Sequence, residues 1–288
     1  MSFGIVINTD REPAISCGKS LVTWLQKRKI PFFIDKESNT PLHLSKALQK
    51  YLLAKEEMHK ACDIFISLGG DGTLLGVSRV AQGKPILGIN FGRLGFLAEF
   101  SDEELFPALE RIVQNQFQTE TRTLLEVAVS QEKREKVFTA LNDVIIEKGG
   151  YPRLPLISLR IDGHLLADYK ADGIIIATST GSTAYSMSAG GPIIIPKSRV
   201  FVITPICPHM LTVRPIVIND EKEIEIMVET PAPNFVLNCD GNIQLKISPK
   251  DRLRVYKSEQ QVLLIKNEQR NYYDVLRSKF LWGREYTR

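Results

Sequence analysis

The chain has 288 residues, of which 43% are hydrophobic and 24% are charged, and its formal net charge at pH 7 is +4. This length suffices for one large domain or two of ordinary size, and the composition is typical of a soluble globular protein. The positive charge is modest and spread along the chain, so it is compatible with anionic ligands and does not indicate a nucleic-acid-binding protein.

The cysteines, the histidines and the N-terminus exclude several classes of protein. The four cysteines are widely separated, with no C-x-x-C pair and no matching histidine spacing, so we expect neither a structural zinc site nor a disulfide framework. The apolar run at 4–7 is too short for a signal peptide, and no apolar run approaches the ~18 residues of a membrane span. We therefore predict a cytoplasmic protein with reduced cysteines and no membrane partner.

Over the first 116 residues, short apolar runs alternate with helical patterns. Strands that alternate with helices predict a parallel sheet, so we expect a Rossmann-like α/β domain. A capping-box pattern at 101–104 predicts the start of its last helix. The predicted strands are residues 3–7, 31–35, 64–68 and 85–89, and the other predicted helices cover about 13–28, about 43–58 and a short stretch from Thr73.

A glycine-rich turn, Gly69 to Gly72, follows the predicted strand 64–68 and precedes the helix that starts at Thr73. In open α/β sheets, ligands bind outside the carboxyl ends of the strands, where this turn lies. Glycines allow positive φ angles and a close approach of the backbone to a ligand, and N–H groups at a helix N-terminus bind phosphate. The turn is therefore predicted to bind a phosphate.

Asp71 gives this turn a negative charge. A carboxylate beside a phosphate is repulsive unless a cation lies between them or the carboxylate has a proton to accept, and both arrangements are typical of kinases. The alternative is that Asp71 only caps the following helix, since aspartate is favoured at helix N-termini. The preceding strand and the paired glycines favour the kinase hypothesis.

Two common phosphate-binding loops do not fit the sequence. The dinucleotide fingerprint G-x-G-x-x-G requires a glycine at position 75, where the chain has Leu75. A phosphate-loop pattern that ends at Gly18-Lys19-Ser20 would need its first glycine at Pro13. The α/β domain is thus predicted to lack the standard Rossmann loop, and Lys19 is predicted to be a solvated helix residue.

A second glycine-bearing segment, Asn90 to Leu97, directly follows the predicted strand 85–89. The carboxyl ends of neighbouring parallel strands lie at the same edge of a sheet, so we expect this segment to line the same crevice as Asp71. The alternative is an ordinary glycine turn with a phenylalanine in the core.

Beyond residue 116, short runs of β-branched residues with period-two alternation predict a β-rich, β-sandwich-like second domain. Asp162-Gly163 and Asp240-Gly241 lie between such runs and predict tight hairpin turns. We place the domains at 1–116 and 117–266, with a tail at 267–288 that we expect to pack on the N-terminal domain. The predicted strands are residues 124–129, 137–146, 156–161, 174–177, 200–203, 216–218, 224–228, 235–237, 243–247 and 262–265.

One segment of the β-rich region is different, because residues 178–192 are rich in serine, threonine and glycine and end in Gly190-Gly191-Pro192. This pattern predicts a short helix between two glycine turns. Its hydroxyl groups could hydrogen-bond a sugar or a phosphate, and Tyr185 could stack on a flat ring. The alternative is an ordinary Ser/Thr-rich loop.

Gly69 to Thr73 resembles the GGDGT motif that NAD kinases share with diacylglycerol kinases, sphingosine kinases and, more loosely, phosphofructokinases. Thr180 to Ser186, followed by Ala189 to Ile193, resembles a second signature that NAD kinases do not share in this form with the other kinases. Asn142-Asp143 and the segment 90–97 resemble two further motifs of the NAD kinases. The resemblance therefore covers nearly the whole chain.

This resemblance implies a reaction and the roles of individual residues. Asp71 matches the residue that accepts the proton of the 2′-hydroxyl of the adenosine ribose of NAD, as this oxygen attacks the γ-phosphate of ATP in the presence of a divalent cation such as Mg²⁺. Gly72 matches a residue that lies against the nucleotide. The other residues at nucleotide-binding positions are Asn142, Asp143, Arg153, Lys170, Asp172, Thr183, Ala184, Tyr185, Ser186, Met187, Ser188 and Asn242.

The resemblance also implies a homodimer or homotetramer in which some NAD contacts come from a neighbouring subunit, and it leaves the metal ligands unassigned. Asp143 occupies a position at which the resembled family more often has glutamate, so the side chain that carries its carboxylate is one methylene shorter. Arg153 and Asn242 occupy positions at which the family varies. We expect Asp71 and the hydroxyl-rich segment to face one cleft between the two domains and to bind one adenine nucleotide.

Two other functions fit part of the sequence. A lipid kinase of the diacylglycerol type would share the motif at 69–73, but it leaves the hydroxyl-rich segment at 178–188 unexplained, and no amphipathic membrane-binding segment is evident. A dinucleotide-binding module without turnover would keep the pocket, but the intact Asp71 argues against it. An NAD kinase is the favoured hypothesis, because Thr180 to Ser186 with Ala189 to Ile193 resembles a signature that the lipid kinases do not share in this form. The residue types are consistent with it, since phosphoryl transfer needs positioning and charge neutralisation and requires no nucleophilic side chain.

Overall fold

In the computed structural model, the chain folds into two compact units. The first unit consists of Met1–Thr121 and Val262–Arg288, and the second of Arg122–Gln261. The structure describes residues 1–38, 42, 45–92, 95–131, 134–150, 153–229 and 235–282. Residues 43–44, 93–94 and 283–288, to which the predictions above extend, lie outside this set.

The first unit is an α/β unit in which strands alternate with helices. Its elements up to residue 113 are β1 (Phe3–Ile7), α1 (Glu12–Lys27), β2 (Phe32–Asp35), β3 (Leu52–Leu53), α2 (Met58–Ala61), β4 (Ile64–Leu68), α3 (Asp71–Ala81), β5 (Pro85–Asn90), β6 (Phe100–Ser101) and α4 (Leu105–Val113). The strands β3, β2, β1, β4 and β5 lie side by side in that order and pair in parallel. The predicted parallel sheet is confirmed.

The sequence patterns of this unit follow from burial. All residues of β1 and β4 are buried, which is why these strands read as continuous apolar runs. Helix α1 starts at Glu12 and Pro13, where proline is compatible with a first helical turn, and it packs Leu21 and Leu25 against the sheet. Lys19 is exposed on this helix, as predicted.

The predicted helix at about 43–58 is wrong. From Lys46 the chain forms a 3₁₀ turn, the strand β3 and a second 3₁₀ turn before α2 begins. Leu52 of β3 pairs with Ile34 at the sheet edge, and the Lys55 Nζ lies 3.2 Å from a carboxylate oxygen of the buried Asp35. These long-range contacts hold the segment against the sheet and override its helical pattern.

The second unit is built from antiparallel strands. Its elements are β7 (Thr119–Gln131), β8 (Arg134–Ala140), β9 (Asp143–Glu147), β10 (Leu156–Ile161), β11 (His164–Lys170), β12 (Gly173–Thr178), α5 (Tyr185–Ser188), β13 (Val200–Ile206), β14 (Ile216–Asn219), β15 (Ile224–Glu229), β16 (Phe235–Cys239), β17 (Ile243–Ile247) and β18 (Arg252–Ile265). One sheet has the order β14, β13, β12, β9, β16, β17. The remaining strands pair in the order β11, β10, β15 and β18, and β18 also pairs with β7, which forms a hairpin with β8.

Both sets of strands contribute to one core. Val144 and Ile146 of β9 belong to the same buried cluster as Ile157 of β10, whereas Ile145 points to the opposite face and packs with Ile175. This alternation is the period-two pattern of the sequence, and the predicted β-sandwich-like architecture is confirmed.

Both predicted hairpin turns are present. Asp162 and Gly163 connect β10 to β11 with φ angles of 48° and 80°, and Asp240 and Gly241 connect β16 to β17 with φ angles of 51° and 71°. Two successive positive φ angles are the geometry of a type I′ turn, which favours Asp-Gly.

The chain re-enters the first unit after Gln261. Leu263 and Leu264, near the end of β18, pair in parallel with β5, and the C-terminal helix α6 (Tyr272–Phe280) follows with a capping box formed by Asn271 and Asp274. Among the helices of the described residues, none combines the length and the apolar composition that crossing a membrane requires.

Two glycines provide a test of this packing. A Cβ at Gly173 in β12 would lie 2.4 Å from the backbone oxygen of Ile146 on the paired strand, so we expect Gly173→Ala to lower the free energy of unfolding by about 1–3 kcal/mol. A Cβ at Gly76 in α3 would meet no atom within 4 Å, so Gly76→Ala should raise it by about 0.5–1 kcal/mol. Urea denaturation measures both, and shifts of the same sign would contradict the packing described.

Candidate active site

In the glycine-rich turn between β4 and α3, Gly69 is packed too closely to carry a side chain. Gly69 donates its N–H to the carbonyl of Ile89 at 2.9 Å, and a Cβ on Gly69 would lie 2.1 Å from Thr73 Oγ1. Gly69, Gly70 and Gly72 all lie outside the positive-φ region. The expectation that these glycines supply positive φ angles is therefore wrong. Only Gly69 is required for close packing, because a Cβ would meet no atom closer than 3.9 Å at Gly70 and none within 4 Å at Gly72.

Gly72 leaves the N-terminus of α3 accessible. It is exposed, and a Cβ there would meet no atom within 4 Å. The first N–H groups of a helix have no intrahelical acceptor, and in α3 these include the N–H groups of Asp71 and Gly72. This end of the helix can therefore receive a phosphate.

The carboxylate of Asp71 accepts three backbone hydrogen bonds from the segment that follows β5. Oδ2 accepts from the N–H of Phe96 at 2.8 Å, and Oδ1 accepts from those of Leu97 and Ala98 at 3.1 and 3.0 Å. The predicted proximity of this segment to Asp71 is confirmed for its described part. Gly70 is the N-cap of α3 and no side chain caps the helix, so the alternative that Asp71 is only a helix cap is wrong.

This arrangement leaves Asp71 one acceptor site. A carboxylate has about four sites, two on each oxygen, and the three N–H groups occupy both sites of Oδ1 and one site of Oδ2. The remaining site on Oδ2 can accept one further hydrogen bond or one proton. Its direction is fixed because the three hydrogen bonds fix the carboxylate.

In the second unit, Asp240 holds the segment that carries Asn142 and Asp143. Its carboxylate accepts from the N–H groups of Leu141, Asn142 and Asp143 at 2.9, 2.7 and 3.1 Å. The sequence pattern at Asp240 predicts only a hairpin turn and does not indicate this role. No local pattern could have revealed it, because Leu141 and Asp240 are 99 residues apart in the chain.

The hydroxyl-rich segment lies against the same backbone. Thr178 Oγ1 donates to the carbonyl of Leu141 at 2.6 Å, and the Thr178 N–H donates to that of Asn142 at 2.9 Å. The backbone of Gly181 lies so close to that of Asn142 that a Cβ at Gly181 would be 2.0 Å from the Asn142 carbonyl oxygen. The structure thus brings the Asn142-Asp143 motif and the start of the hydroxyl-rich segment together.

Asp143 is a buried carboxyl group with an exposed fraction of 3%. Burial, and after it the neighbouring Asp240 carboxylate, raise the pKa of Asp143 to about 7, while a hydrogen bond from the backbone N–H of Tyr185 lowers it. Asp143 therefore changes its charge near neutral pH. A ligand hydroxyl that donates a hydrogen bond to it would favour the ionised form.

The residues at 183–188 differ in their accessibility. The side chain of Tyr185 is exposed and can stack on a planar ligand. Ser186 is fully buried, with its Oγ 2.8 Å from Thr204 Oγ1, so its hydroxyl supports the turn. Ser188 is exposed, whereas Thr183, Ala184 and Met187 are half-buried.

The last four predicted residues lie on the surface of the second unit. Asp172 is half-buried and forms an ion pair with Lys148 at 2.6 Å. Asn242 belongs to the hairpin turn of Asp240, which places it near the Asn142-Asp143 segment. The exposed residues of this group are Arg153, Lys170 and Asn242.

The raised pKa of Asp143 predicts a pH dependence of stability. Its ordinary value is about 3.9, so between about pH 4 and pH 7 the folded state binds more protons than the unfolded state, and the free energy of unfolding falls as pH rises. Between pH 5 and pH 8, the titration of Asp143 should lower the free energy of unfolding of the parent protein by about 2–3 kcal/mol. We expect Asp143→Asn to lack this contribution. Urea titrations across this range measure it, and parallel profiles for the two proteins would contradict the assignment.

Two protein-family models match the parts of the chain that contain the motifs at 69–73 and 180–193. The ATP-NAD kinase N-terminal domain matches residues 3–117, and the ATP-NAD kinase C-terminal domain matches residues 141–267. Curated NAD kinases from Chloroherpeton thalassium and Chlorobium luteolum are 58% and 55% identical to this chain over 99% of each chain. The motif at 69–73 also resembles that of lipid kinases, whereas the similarity to these NAD kinases extends over 99% of the chain.

Solved structures show the same fold. An NAD kinase from Archaeoglobus fulgidus in complex with ATP is 26% identical, with a TM-score of 0.77 over 96% of this chain and 99% of that chain. The yeast NADH kinase complexed with NADH has a TM-score of 0.91 over 99% of this chain and 89% of that chain, and at 24% identity this similarity concerns the fold alone. Family models that match both parts of the sequence, and relatives more than half identical over its full length, leave one assignment: the chain belongs to the ATP-NAD kinase family.

Proposed function

We propose that this protein transfers the γ-phosphoryl group of ATP to the 2′-hydroxyl of the adenosine ribose of NAD, which yields NADP and ADP. The observation that carries this proposal is the 58% identity to a curated NAD kinase over 99% of both chains. The ATP complex of the Archaeoglobus fulgidus NAD kinase supports ATP as the phosphoryl donor.

Asp71 is the proton acceptor in this proposal. The ribose O2′ forms a bond to the γ-phosphorus while the bond from this phosphorus to the β–γ bridging oxygen breaks, and the hydroxyl proton must leave O2′. The open site on Asp71 Oδ2 is a fixed position that can take this proton. A carboxylate is a weak base for a hydroxyl group, so the transfer occurs late, after the O2′–P bond has begun to form.

The N-terminus of α3 supplies electrostatic stabilisation. Its positive end and the N–H groups of Asp71 and Gly72 can interact with phosphate oxygens, and Gly72 allows the nucleotide to approach the backbone. Phosphoryl transfer depends mainly on such positioning and charge stabilisation. These features are compatible with phosphoryl transfer.

In the second unit we assign the binding of NAD to the segment fixed by Asp240. Asn142 and Asp143 would hold nucleoside hydroxyl and amide groups, and Tyr185 would contact a planar ring. The rest of this proposed pocket comprises Thr183, Ala184, Ser186, Met187 and Ser188. Further contacts to NAD would come from Arg153, Lys170, Asp172 and Asn242.

A divalent cation, with Mg²⁺ as our choice, would accompany ATP. Within the part of the chain that the structure describes, no group of three His, Cys, Asp or Glu side chains is placed to hold a metal ion. We propose that the cation would bind mainly to the ATP phosphates and water, as is common for Mg²⁺. When bound, it would neutralise phosphate charge.

We further propose that the protein is a homodimer or homotetramer and acts in the cytoplasm. The exposed side chains of Arg153, Lys170 and Asn242 would be accessible to a neighbouring subunit, and light scattering tests the oligomeric state. None of the four cysteines, all of which lie in the described part of the chain, forms a disulfide bond, which is compatible with a reducing compartment.

The role of Asp71 predicts the effect of Asp71→Asn. Asparagine has nearly the same size but cannot accept the proton, so we expect kcat to fall roughly 10²- to 10⁴-fold while NAD binding persists. An assay coupled to an NADP-specific dehydrogenase measures turnover, and calorimetry measures NAD binding. Glu103→Gln, at an exposed carboxylate of the same unit, serves as the control. Undiminished turnover of Asp71→Asn would remove Asp71 from catalysis.

The open position of Gly72 predicts a separate effect on affinity. A methyl group at 72 has space in the folded protein, so Gly72→Ala should unfold at the same temperature as the parent protein to within a few degrees. The methyl group would occupy the surface that the nucleotide approaches, and we expect at least a ~10-fold increase in KM for ATP or NAD, equivalent to about 1.4 kcal/mol. Gly76→Ala, in the same helix, is the matched control, and unchanged KM values in Gly72→Ala would contradict the proposed approach.

A further inference from the structure

The position of the Asp71 carboxylate depends on a neighbour that has no side chain. Gly95 is buried directly before the three N–H groups that Asp71 accepts. A Cβ at Gly95 would lie 1.8 Å from Asp71 Oδ1, 2.5 Å from its Cγ and 2.8 Å from its Oδ2. A side chain at position 95 and the observed carboxylate position therefore exclude each other.

We propose that Gly95 is a positioning residue for phosphoryl transfer, because its missing side chain admits the Asp71 carboxylate to the N–H groups of residues 96–98. This inference rests on the proposed role of Asp71 as proton acceptor. Gly95 touches neither substrate in this proposal and acts only through Asp71.

The three hydrogen bonds select where the proton can bind. A carboxylate oxygen must present a lone pair to each N–H group, so the sites that face Phe96, Leu97 and Ala98 cannot carry a proton while these bonds persist. The fourth site, on Oδ2, is the one that remains. A carboxylate displaced from these donors would rotate freely and lose this single direction.

The substitution Gly95→Ala is informative because the fold can accommodate it. Gly95 lies outside the positive-φ region, so its backbone suits alanine. The overlapping atoms belong to the end of the Asp71 side chain, which can rotate away. At Gly181, by contrast, the overlap is with the backbone of Asn142 and cannot be relieved in this way.

A double-mutant cycle tests the proposal with purified full-length protein. It comprises the parent protein, Asp71→Asn, Gly95→Ala and the double variant. Gly76→Ala controls for the glycine-to-alanine change itself, because a Cβ at Gly76 would meet no atom within 4 Å. We expect Gly95→Ala to lower kcat roughly 10²-fold, the usual cost of a ~1 Å misplacement, with KM for NAD changed less than about threefold. The double variant should be no slower than Asp71→Asn alone, because both changes act on one group.

The outcomes separate this inference from the proposed function. Full turnover of Asp71→Asn would refute the role of Asp71, whereas an inactive Asp71→Asn beside a fully active Gly95→Ala would refute the positioning role alone. Multiplicative losses in the double variant would also refute it, because they would show that Gly95 acts on the fold independently of Asp71.

Amide hydrogen exchange provides the deciding measurement if Gly95→Ala does not fold. In the parent protein the N–H groups of Phe96, Leu97 and Ala98 should be protected, and in Asp71→Asn their exchange should accelerate at least tenfold, while the N–H of Gly69, bonded to Ile89, remains as before. Unchanged exchange at the three positions would overturn the proposal.

Discussion

One interaction fixes the candidate residues within each of the two units: a carboxylate that accepts hydrogen bonds from three consecutive backbone N–H groups. Asp71 accepts from residues 96–98 in the first unit, and Asp240 accepts from residues 141–143 in the second. Hydrogen bonds to an ionised acceptor are roughly twice as strong as neutral ones. Each carboxylate therefore joins two loops that are distant in sequence and fixes the side chains that they carry.

The same interaction has different chemical consequences in the two units. Asp71 retains one acceptor site at the N-terminus of a helix, where a proton and a phosphate can be received. Asp240 has an exposed fraction of 8%, and its charge helps to raise the pKa of the buried Asp143 to about 7. The first carboxylate thus keeps an open acceptor site, whereas the second fixes the backbone at Asp143 and adds to the effect of burial on the pKa of that residue.

Local sequence patterns predicted the elements of the site but not their contacts. The hairpin at Asp240 was identified because Asp-Gly favours the positive φ angles of a tight turn. The turn at 69–72 was identified from its glycines, although they do not use positive φ angles. The role of Asp240 as an acceptor, and the fully buried Ser186 that bonds to Thr204, had no local signal. The helical pattern at 43–58 failed for the related reason that pairing of β3 with the sheet outweighs a weak local propensity.

By itself, the sequence determined the alternation of strands and helices in the first unit, the antiparallel sandwich of the second and the identity of the catalytic candidate, because these follow from periodicity, turn chemistry and a resemblance carried by short motifs. The tertiary structure alone decided that Asp71 is held by N–H groups up to 27 residues away, and that Gly95 must lack a side chain to allow it. Which groups come within hydrogen-bonding distance depends on how folded elements pack, and local backbone preferences do not encode that distance.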